Sequence, residues 1–524
     1  MSVSMPMSPP ATGADAAVEA RVRHFARVQP DAAAVIGLHR TITYRELDEA
    51  ADRAATALAR YQVVPGSRVA WLGRNDIGYV ITMLGTRRRG ACLAGLNWRE
   101  QPAELRRACA LIAPTVLVAD SANAGAATSV GEEAGAVITL SAESIPWDEE
   151  LSDPAAVLTA GDGDDCMLYF TSGSTGRPKA VVHQYDRVNR NIVSLLPGFE
   201  PGAVTLIIPP VFHVAGAVWV QHTLISGATM VFPRDGSTIL QTISDFGVTH
   251  ALMVPTLIQM MLAEQAASGL EAPRLRVIAY GTSPITSTLL RSAMDRFSCS
   301  FIQCYGTTEA GGVMTMLGAD DHQLGGPHAG RMASAGVPLP GFTVQAVQPG
   351  TRRACKSGQT GELRVRTPLA MSGYWGDPEA TAAVLDADGW LHTRDLGYLD
   401  EDGYVYVVGR LDDVIITGGE NVHPAEVENV LSGLPGLAAA CVTGVPDERW
   451  GQVVAVAVVR ADAALSEQQV LGHCRAHLAH YKCPRLIVFM DELPRNATGK
   501  VIRSHVRNQI VDGLARRPPR TGAG

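Results

Sequence analysis

TSGSTGRPKA, which spans Thr171–Ala180, consists mainly of Thr, Ser, Gly and Pro, with one arginine and one lysine. It follows the apolar run CMLYF and precedes AVVHQYDRVNRNI, which can enter a helix. A strand, a glycine-rich loop and a helix in this order place backbone N–H groups around phosphate oxygens. The Gly and Lys spacing differs from that of a Walker loop. The segment therefore predicts an anion-binding loop in an α/β protein, the alternative being a flexible surface loop.

Strand and helix patterns alternate along the chain, which predicts an α/β fold whose parallel sheets are covered by helices. TYRELDEAADRAATALARY has helical apolar spacing, with Thr43 as N-cap and Glu46 three residues later. Apolar strand patterns include SRVAWLG, TVLVA, THALMVP, LRVIAYG and FIQCYG. We expect a large N-terminal domain (1–411) of stacked α/β sheets with a β-rich subdomain. A small mobile C-terminal α+β domain (412–524) should follow.

Composition excludes several classes of protein. The chain has 524 residues, 18% of them charged, and no apolar run approaches the ~20 residues needed to cross a bilayer. Its net charge of -8 argues against a general nucleic-acid-binding protein. The start MSVSMPMSPPATGADAAVEA lacks the basic and apolar regions of a secretory signal. The nine cysteines form no CxxC pair, so we expect a cytoplasmic protein without a disulfide framework or zinc site.

Lysine is rare in this chain, which makes each one informative. Of the 44 basic residues only four are lysines: Lys179, Lys356, Lys482 and Lys500. Lys179 lies in the opening loop, and Lys500 lies in a second Thr-Gly turn, RNATGK. A lysine kept in such a chain is a candidate for a role that needs a compact ammonium rather than a planar guanidinium. Chance is the alternative.

Two later segments also end strands with reactive side chains. In YGTTEAGG, Tyr305 can stack on a base and Glu309 can ligate magnesium. A purely structural turn capped by Thr and Glu fits the segment equally well. LHTRDLGYLDEDGYVYVVGR offers Asp395 in a turn, as a carboxylate that can accept from two ribose hydroxyls, and Arg410, which closes the hairpin. The acidic turn DEDG within it is a hairpin turn without a functional role.

In this order and spacing, these segments resemble the adenylate-forming superfamily of acyl- and aryl-CoA synthetases, peptide-synthetase adenylation domains and luciferases. The resemblance runs from TYRELDEAADRAATAL to NATGKVIR and also includes SAGVPLPG. The chain departs from the family pattern at Ser174 (usually Thr), Ala180 (usually Gly) and Arg394 (usually Gly or Ser). The segment TGGENVHPAEVE is most similar to aryl-carboxylate and fatty-acid CoA ligases.

The resemblance implies an ATP site. The loop would hold the β- and γ-phosphates through Thr171, Ser172, Gly173, Ser174, Thr175, Gly176 and Lys179. Gly281, Thr282, Ser283 and Pro284 would sandwich the adenine with Tyr305, and Gly306 and Thr307 would follow it in the YGTTE motif. Thr308 would contact the α-phosphate, Glu309 would bind Mg²⁺, and Asp395 would take the ribose hydroxyls beside Arg410.

The resemblance also implies two reaction steps separated by a domain rotation. Lys500 would reach the carboxylate and α-phosphate from the small domain, and Asp412 would be the hinge. Gly418 and Gly419 would then line the pantetheine tunnel, and Lys482 is a candidate for the CoA phosphates. The run Arg87–Arg89 is a further CoA candidate, although a solvated helix face is the preferred interpretation.

The segment PPVFHVAGAVWVQHTLISG is where the family builds its acyl pocket. It contains no acidic residue to pair with an α-amino group, which argues against an amino-acid substrate. His213 would lie near the substrate carboxylate, the alternative being a satisfied core histidine. The other side chains predicted there are apolar and indicate an apolar acid: Val214, Ala215, Val218, Trp219, Met253, Val254, Val313 and Met314, beside Gly281.

The sequence is therefore identified as that of an ATP-dependent carboxylic acid–CoA ligase, which forms acyl-AMP and releases pyrophosphate. ATP, Mg²⁺ and CoA are the expected cofactors and co-substrates, and a homodimer is a candidate assembly. One alternative is an acyl-AMP ligase that loads an acyl carrier protein, and another is a luciferase-like oxygenase. A non-catalytic nucleotide-binding protein would be expected to lack Glu309, Asp395 or Lys500, and all three are present.

Overall fold

The computed structural model describes residues 18–133, 138–141, 158, 161–172, 178–194, 199–200, 202–268, 274–283, 285–496 and 500–515. Of the predicted phosphate loop, Gly173, Ser174, Thr175 and Gly176 lie outside these ranges, as does Pro284. Among the described residues no helix is both long enough and apolar enough to span a membrane.

The first sheet carries the strand that leads into the opening loop. Its central strands are parallel, and two antiparallel strands extend one edge. In spatial order they are β18 (Gly373–Tyr374), β8 (Pro178–Gln184), β7 (Asp165–Ser172), β4 (Cys92–Leu96), β3 (Arg68–Leu72), β5 (Val116–Ala119) and β6 (Ile138–Ser141). All of β4 and β5 is buried, as expected for parallel strands covered on both faces.

The second sheet has six central strands that run parallel, and antiparallel strands extend it at both ends. Its spatial order is β15 (Val337–Pro338), β14 (Thr315–Leu317), β13 (Ser300–Tyr305), β12 (Val277–Gly281), β11 (His250–Met253), β9 (Val204–Leu206), β10 (Thr229–Val231), β1 (Ala33–Ile36) and β2 (Thr41–Thr43). The two sheets form the stacked α/β body that the sequence predicts.

Two smaller sheets follow in the chain. The β-rich subdomain is an antiparallel sheet of β16 (Thr343–Val347), β17 (Gly361–Arg366), β19 (Leu391–Leu399) and β20 (Val405–Arg410). The last sheet consists of β22 (Glu420–Val422), β21 (Ile415–Thr417), β24 (Gly451–Arg460), β23 (Leu437–Asp447) and β25 (Leu486–Phe489). β25 is parallel to β24, whereas the other pairs of this sheet are antiparallel.

Helices lie on the faces of these sheets. They are α1 (Val18–Val28), α2 (Tyr44–Arg60), α3 (Ile77–Arg88), α4 (Pro102–Ile112), α5 (Ala124–Glu133), α6 (Tyr185–Ser194), α7 (Val214–Ser226), α8 (Ile239–Phe246), α9 (Pro255–Ser268), α10 (Ser287–Arg296), α11 (Pro378–Val384), α12 (Pro424–Leu431), α13 (Glu467–His477) and α14 (Arg503–Ala515). The capping box predicted for α2 is present, with Thr43 and Glu46 bonded reciprocally.

The predicted environment of the opening loop was wrong in one respect. The segment after the loop is the strand β8, which pairs antiparallel with β7, and a helix begins only at Tyr185. Thr171 lies opposite Lys179 in this pairing. The loop therefore connects two strands of a hairpin, and a strand rather than a helix directly follows it.

The preferred interpretation of Arg87–Arg89 as a solvated helix face was also wrong. All three side chains are buried beneath α1 and α2, so they also cannot meet CoA phosphates. Arg87 pairs with Glu19 and donates to the Asn189 side chain at 2.7 Å. Burial of the three charges is tolerated because other helices supply carboxylates and carbonyl oxygens. Arg88 donates to the carboxylates of Asp48 and Asp52, and Arg89 donates to the Val63 carbonyl.

The predicted domain boundary near residue 411 stays a prediction, and different buried apolar clusters lie before and after it in the chain. The cluster of the β-rich subdomain includes Leu363, Leu391 and Val405. The two clusters of the last sheet begin with Ile415 and Cys441 respectively. The short segment between Val405 and Ile415 thus separates two cores, which is where a hinge between domains is expected.

Candidate functional site

The predicted adenine site lies at one edge of the second sheet. β12 ends at Gly281, and its parallel neighbour β13 ends at Tyr305. Thr282 has a positive φ of 65°, a conformation that residues other than glycine rarely adopt, so the chain turns sharply as it leaves the sheet. Because the carboxyl ends of parallel strands meet at the same edge, residues 281–283 lie beside Tyr305. The structure brings these predicted residues together.

The turn after β13 is tightly packed against neighbouring backbone. A Cβ atom at Gly306 would lie 1.7 Å from the carbonyl oxygen of Gly312, so only glycine fits there. Thr307 caps the 3₁₀ turn Thr308–Ala310, its hydroxyl accepting the N–H of Ala310. His183 donates through Nε2 to the carbonyl oxygen of Thr308 at 2.8 Å. The backbone that carries Thr308 and Glu309 is therefore tied both to its own turn and to β8.

Asp395 joins the adenine edge to the β-rich subdomain. The Tyr305 hydroxyl donates to Oδ2 of Asp395 at 2.7 Å, and the Arg410 guanidinium lies 3.6 Å from Oδ1. Burial raises the pKa of Asp395, while Arg410 and the Tyr305 hydrogen bond act in the opposite direction. This places a buried acceptor beside the aromatic ring, which is the geometry needed to bind a ribose next to a base.

Glu309 and Lys179 both contact Tyr374, a residue for which no role was predicted from the sequence. The Tyr374 hydroxyl donates to Oε1 of Glu309 at 2.8 Å, and the Lys179 ammonium lies 4.8 Å from the centroid of the same ring. The segment that carries Tyr374 is bonded to both motifs, through Trp375 N to Ala180 O and Met371 N to Glu309 O. No local pattern could have indicated this contact, since its members are distant in sequence.

Lys500 approaches the same site from the C-terminal sheet. Its turn is closed by Asn496, whose N–H donates to the Lys500 carbonyl at 2.8 Å and whose side chain accepts from the Lys500 N–H at 2.9 Å. Desolvation lowers the pKa of Lys500, as does Arg410, while Asp395 acts to raise it. Part of the residue remains exposed to solvent. Lys500 therefore lies close enough to Asp395 and Arg410 to interact with both electrostatically.

The predicted hinge residue Asp412 forms an ion pair with Arg394, one of the three residues at which the chain departs from the family pattern. Arg394 donates through Nε to Oδ2 of Asp412 at 2.9 Å and also contacts Oδ1, and both side chains are about half exposed. Arg394 has a φ of 60°, a left-handed conformation that glycine adopts without strain. Arg394 therefore ties the strand that carries Asp395 to the start of the C-terminal unit.

The predicted acyl-pocket residues fall into two sets. His213 is the N-cap residue of α7, and burial, reinforced by Arg99, lowers its pKa to about 4, so its imidazole is neutral at pH 7. One set lies near the turn after β13: Val218, Val313 and Met314 share a cluster, and Val214 is 3.6 Å from the Cβ position of Gly312.

The second set packs elsewhere in the α/β body. Trp219 is buried in the core beneath α1 and α3, with its ring 5.3 Å from that of Phe199. Ala215 packs at the edge of the same core. Met253 is fully buried among the helices that cover β11 and β12, and Val254 follows it. Trp219 and Met253 are therefore part of the hydrophobic core, in clusters other than the one near the β13 turn.

The predicted CoA-binding residues lie on one face of the C-terminal unit. Gly418 has a φ of 60°, and a Cβ there would meet the Trp450 indole at 2.6 Å, so this turn also requires glycine, and Gly419 follows it at a φ of 87°. The guanidiniums of Arg449 and Arg485 lie 5.2 and 4.3 Å from the Trp450 ring. This tryptophan and its arginines were not selected from the sequence.

Lys482 lies near this face but is already engaged. Its ammonium lies 2.5 Å from Oε1 of Glu426 in α12. A phosphate bound by Lys482 would have to compete with that carboxylate. The arginines beside Trp450 are therefore better placed than Lys482 to meet an anionic co-substrate.

With this geometry in place, comparison with known proteins identifies the family. The chain matches the AMP-binding enzyme family over residues 22–375 and the AMP-binding enzyme C-terminal domain over residues 426–500. The chain belongs to this family. A fatty acid–[acyl-carrier-protein] ligase of Streptomyces coeruleorubidus is 35% identical over 94% of this chain and 96% of its own length. A feruloyl-CoA synthase of an Amycolatopsis species is 36% identical, with 93% and 97% covered.

A solved structure agrees with these relatives. The o-succinylbenzoate CoA synthetase of Bacillus subtilis, in complex with its acyl-adenylate intermediate, superimposes with a TM-score of 0.82 at 29% identity, over 93% of this chain and 97% of its own. The predicted α/β fold with a smaller C-terminal domain is confirmed. So is the predicted AMP-forming acid–CoA ligase that uses ATP and CoA. The residue roles, Mg²⁺ and a homodimer stay predictions.

Proposed function

We propose that the cluster around Tyr305, Asp395, Glu309 and Lys500 forms the acyl adenylate of an apolar carboxylic acid. The single observation that supports this most strongly is the convergence of Lys500 with Asp395 and Arg410. These residues come from different units of the fold, and their proximity would put a lysine ammonium near the proposed ribose acceptor. Asp395 would accept from the ribose hydroxyls, and the Tyr305 ring and residues 281–283 would contact the adenine.

The donor set at Glu309 fits Mg²⁺. This ion is commonly held by one or two carboxylates together with substrate phosphates and water. Glu309 provides such a carboxylate, while the Lys179 ammonium lies 4.8 Å from the centroid of the Tyr374 ring. When bound, Mg²⁺ would neutralise charge on the phosphates. Lys179 would do the same for the β- and γ-phosphates, which become the pyrophosphate leaving group.

Lys500 would act where the two reacting groups repel each other. A carboxylate oxygen attacks the α-phosphorus, the bond to the bridging oxygen of pyrophosphate breaks, and both anions must approach within bonding distance. An ammonium between them stabilises charge that develops during this step. Arg410 lies beside Asp395 and gives this site a second positive charge. His213, neutral at pH 7, would bound the acyl pocket without contributing charge.

The second step needs the same carbonyl to be open to a thiol. With Lys500 at the acyl adenylate, that approach is obstructed, so the C-terminal unit would rotate about Asp412. The face of Gly418, Gly419 and Trp450 would then line the thiol's path. The Trp450 ring, with the guanidiniums of Arg449 and Arg485 5.2 and 4.3 Å from its centroid, would suit the adenine and phosphates of CoA. The sulfur attacks the carbonyl carbon and AMP leaves with the bonding electrons.

The acid is proposed to be apolar, either aliphatic or aromatic. Val214, Val218, Val313 and Met314 are apolar and gather near the turn that carries Thr308 and Glu309. The relatives named above act on a fatty acid and on ferulic acid according to their names. An apolar pocket discriminates by only about 1–3 kcal/mol per methylene group, so chain length is left to experiment.

The experiment that tests this proposal is a substrate panel. Pyrophosphate release is measured with aliphatic and aromatic acids, with CoA, with a phosphopantetheinylated carrier protein, and without any thiol, and products are identified by mass. We expect release that depends on an apolar acid and yields its acyl-CoA. Release with α-amino acids alone would contradict the assigned pocket. Acyl-AMP that ignores CoA but loads the carrier protein would make the carrier protein the acceptor.

A smaller prediction concerns the contact between Arg394 and Asp412. A half-exposed ion pair contributes about 0.2–1 kcal/mol, so Arg394→Gly should raise thioester formation relative to adenylation by no more than about fivefold. Glycine also removes the strain of a positive φ, which is about 1 kcal/mol or more. Both half-reactions and the unfolding free energy are measured.

Arg394→Ala is the matched control, because it loses the ion pair but keeps the strained φ. It should share the altered ratio of half-reactions and be less stable than Arg394→Gly. If the two variants differ in the half-reaction ratio but are equally stable, the contact does not act as described.

A further inference from the structure

We propose that Tyr374 is a positioning residue that holds the Glu309 carboxylate and the Lys179 ammonium in one arrangement around the triphosphate. This inference rests on the proposed role of Glu309. Tyr374 contacts the first group through its hydroxyl, 2.8 Å from Oε1, and the second through the face of its ring, 4.8 Å from Nζ. A single side chain thus connects a charged group on β8 with one in the turn after β13.

The placement of Tyr374 in the fold explains how it does this. It lies on the two-residue strand β18, where it pairs with Val181 of β8, two residues beyond Lys179. Glu309 follows β13, which belongs to the second sheet. Lys179 and Glu309 are therefore carried by separate sheets, and a side chain that contacts both sets their spacing. Tyr374 itself is held by its N–H, which donates to the Thr381 hydroxyl at 2.9 Å.

The chemistry of the hydroxyl suits a positioning role. A tyrosine hydroxyl, whose ordinary pKa is about 10, is a neutral hydrogen-bond donor at pH 7. A neutral donor orients a carboxylate without cancelling its charge, and it leaves the second oxygen's lone pairs to a cation. The ring face attracts the Lys179 ammonium through its quadrupole. Each contact keeps a flexible charged side chain in a defined place.

Tyr374→Phe is the decisive variant because it removes the hydroxyl and keeps the ring over which Lys179 lies. Loss of a group that orients a metal-binding side chain lowers metal affinity or activity by about 10–100-fold. We therefore expect the Mg²⁺ concentration for half-maximal acid-dependent ATP–pyrophosphate exchange to rise at least about tenfold. Tyr398→Phe is the matched control: Tyr398 stacks on Tyr406 in the β-rich subdomain, and its variant should keep the wild-type Mg²⁺ requirement.

A binding measurement separates this role from a general loss of activity. Mn²⁺ affinity is measured by electron paramagnetic resonance on each full-length variant in complex with a non-hydrolysable ATP analogue. Tyr374→Phe should weaken Mn²⁺ binding about tenfold, by the same argument. Tyr374→Leu, which also removes the ring, should in addition weaken binding of the analogue without metal, since Lys179 loses its support.

The double variant with Glu309→Gln decides whether Tyr374 acts through Glu309. If it does, adding Tyr374→Phe to Glu309→Gln causes little further loss of Mn²⁺ affinity, because the contact is already impaired. Additive losses, or unchanged Mn²⁺ affinity in Tyr374→Phe, would overturn the proposal. If Glu309→Gln itself leaves Mn²⁺ affinity unchanged, the role of Glu309 fails first. That outcome is distinct from failure at Tyr374 alone.

Discussion

Lys500→Ala is expected to slow acyl-adenylate formation about 100-fold or more, the usual effect of removing one preorganised group that stabilises developing charge. Thioester formation from preformed acyl-AMP should be affected far less, because Lys500 would have left the site by then. The two half-reactions are measured separately, the first by pyrophosphate exchange and the second by acyl-CoA formation from synthetic acyl-AMP. Equal losses in both would contradict this division between the steps.

The pH dependence of adenylation provides an independent check on Lys500. Desolvation, reinforced by Arg410, lowers the pKa of this lysine, so its ammonium form is lost at a lower pH than for an ordinary lysine. Adenylation that needs this ammonium should therefore decline on the alkaline side as pH rises through the lowered pKa. Lys500→Arg, slower because its guanidinium is planar, should move that decline to higher pH. An unchanged alkaline limb in Lys500→Arg would assign it to another group.

Asp412→Pro is expected to have the second large effect, this time on thioester formation. Asp412 lies in the 3₁₀ turn Leu411–Asp413, whose usual φ of about −50° to −70° is the one that proline fixes. The variant should therefore retain the arrangement in which Lys500 faces Asp395 and resist rotation out of it. Because misplacement of reacting groups can cost on the order of 100-fold, thioester formation should fall by up to that factor relative to adenylation.

Asp412→Ala is the control for the hinge. It removes the ion pair with Arg394, as proline does, but leaves the backbone free to rotate. It should show the modest change in half-reaction ratio expected for Arg394→Ala and no large loss of thioester formation. If Asp412→Ala and Asp412→Pro behave alike, the ion pair matters and backbone rotation at this residue does not. Unchanged rates in Asp412→Pro would place the hinge elsewhere.

Predictions from local pattern were most accurate where burial and capping are local. The helix that begins at Tyr44 was predicted from Thr43, Glu46 and its apolar spacing, and its capping box is present. The strands ending at Gly281 and Tyr305 were predicted from short apolar runs, and their parallel pairing brings the predicted adenine residues together. Such features depend on neighbours a few residues apart, so a single sequence contains the necessary information.

The errors arose where one pattern fits two environments. A run of arginines at the end of a helix has the same composition whether it faces solvent or buried carboxylates. Arg87 is buried only because α1 brings Glu19 to it. Likewise, AVVHQ has the apolar content of a strand or of a helix start, and its pairing with β7 decides between them. Met253 and Trp219 are buried in hydrophobic clusters, and their contact with the acyl chain stays a prediction.

The sequence by itself determined the family, the α/β class, the order of the ATP motifs and the residues that carry charge to them. These follow from residue types at fixed spacing, since the strand end that presents Tyr305 is set by local hydrophobic pattern. The predicted turn at Asp395 was wrong, because this residue lies within β19, where it pairs with Arg410 of β20. Only the tertiary structure decided that Tyr374 joins Glu309 to Lys179, that Arg394 holds Asp412, and that Trp450 lies against Gly418. Those contacts depend on how separate sheets pack, and packing is a property of the whole fold that no short segment encodes.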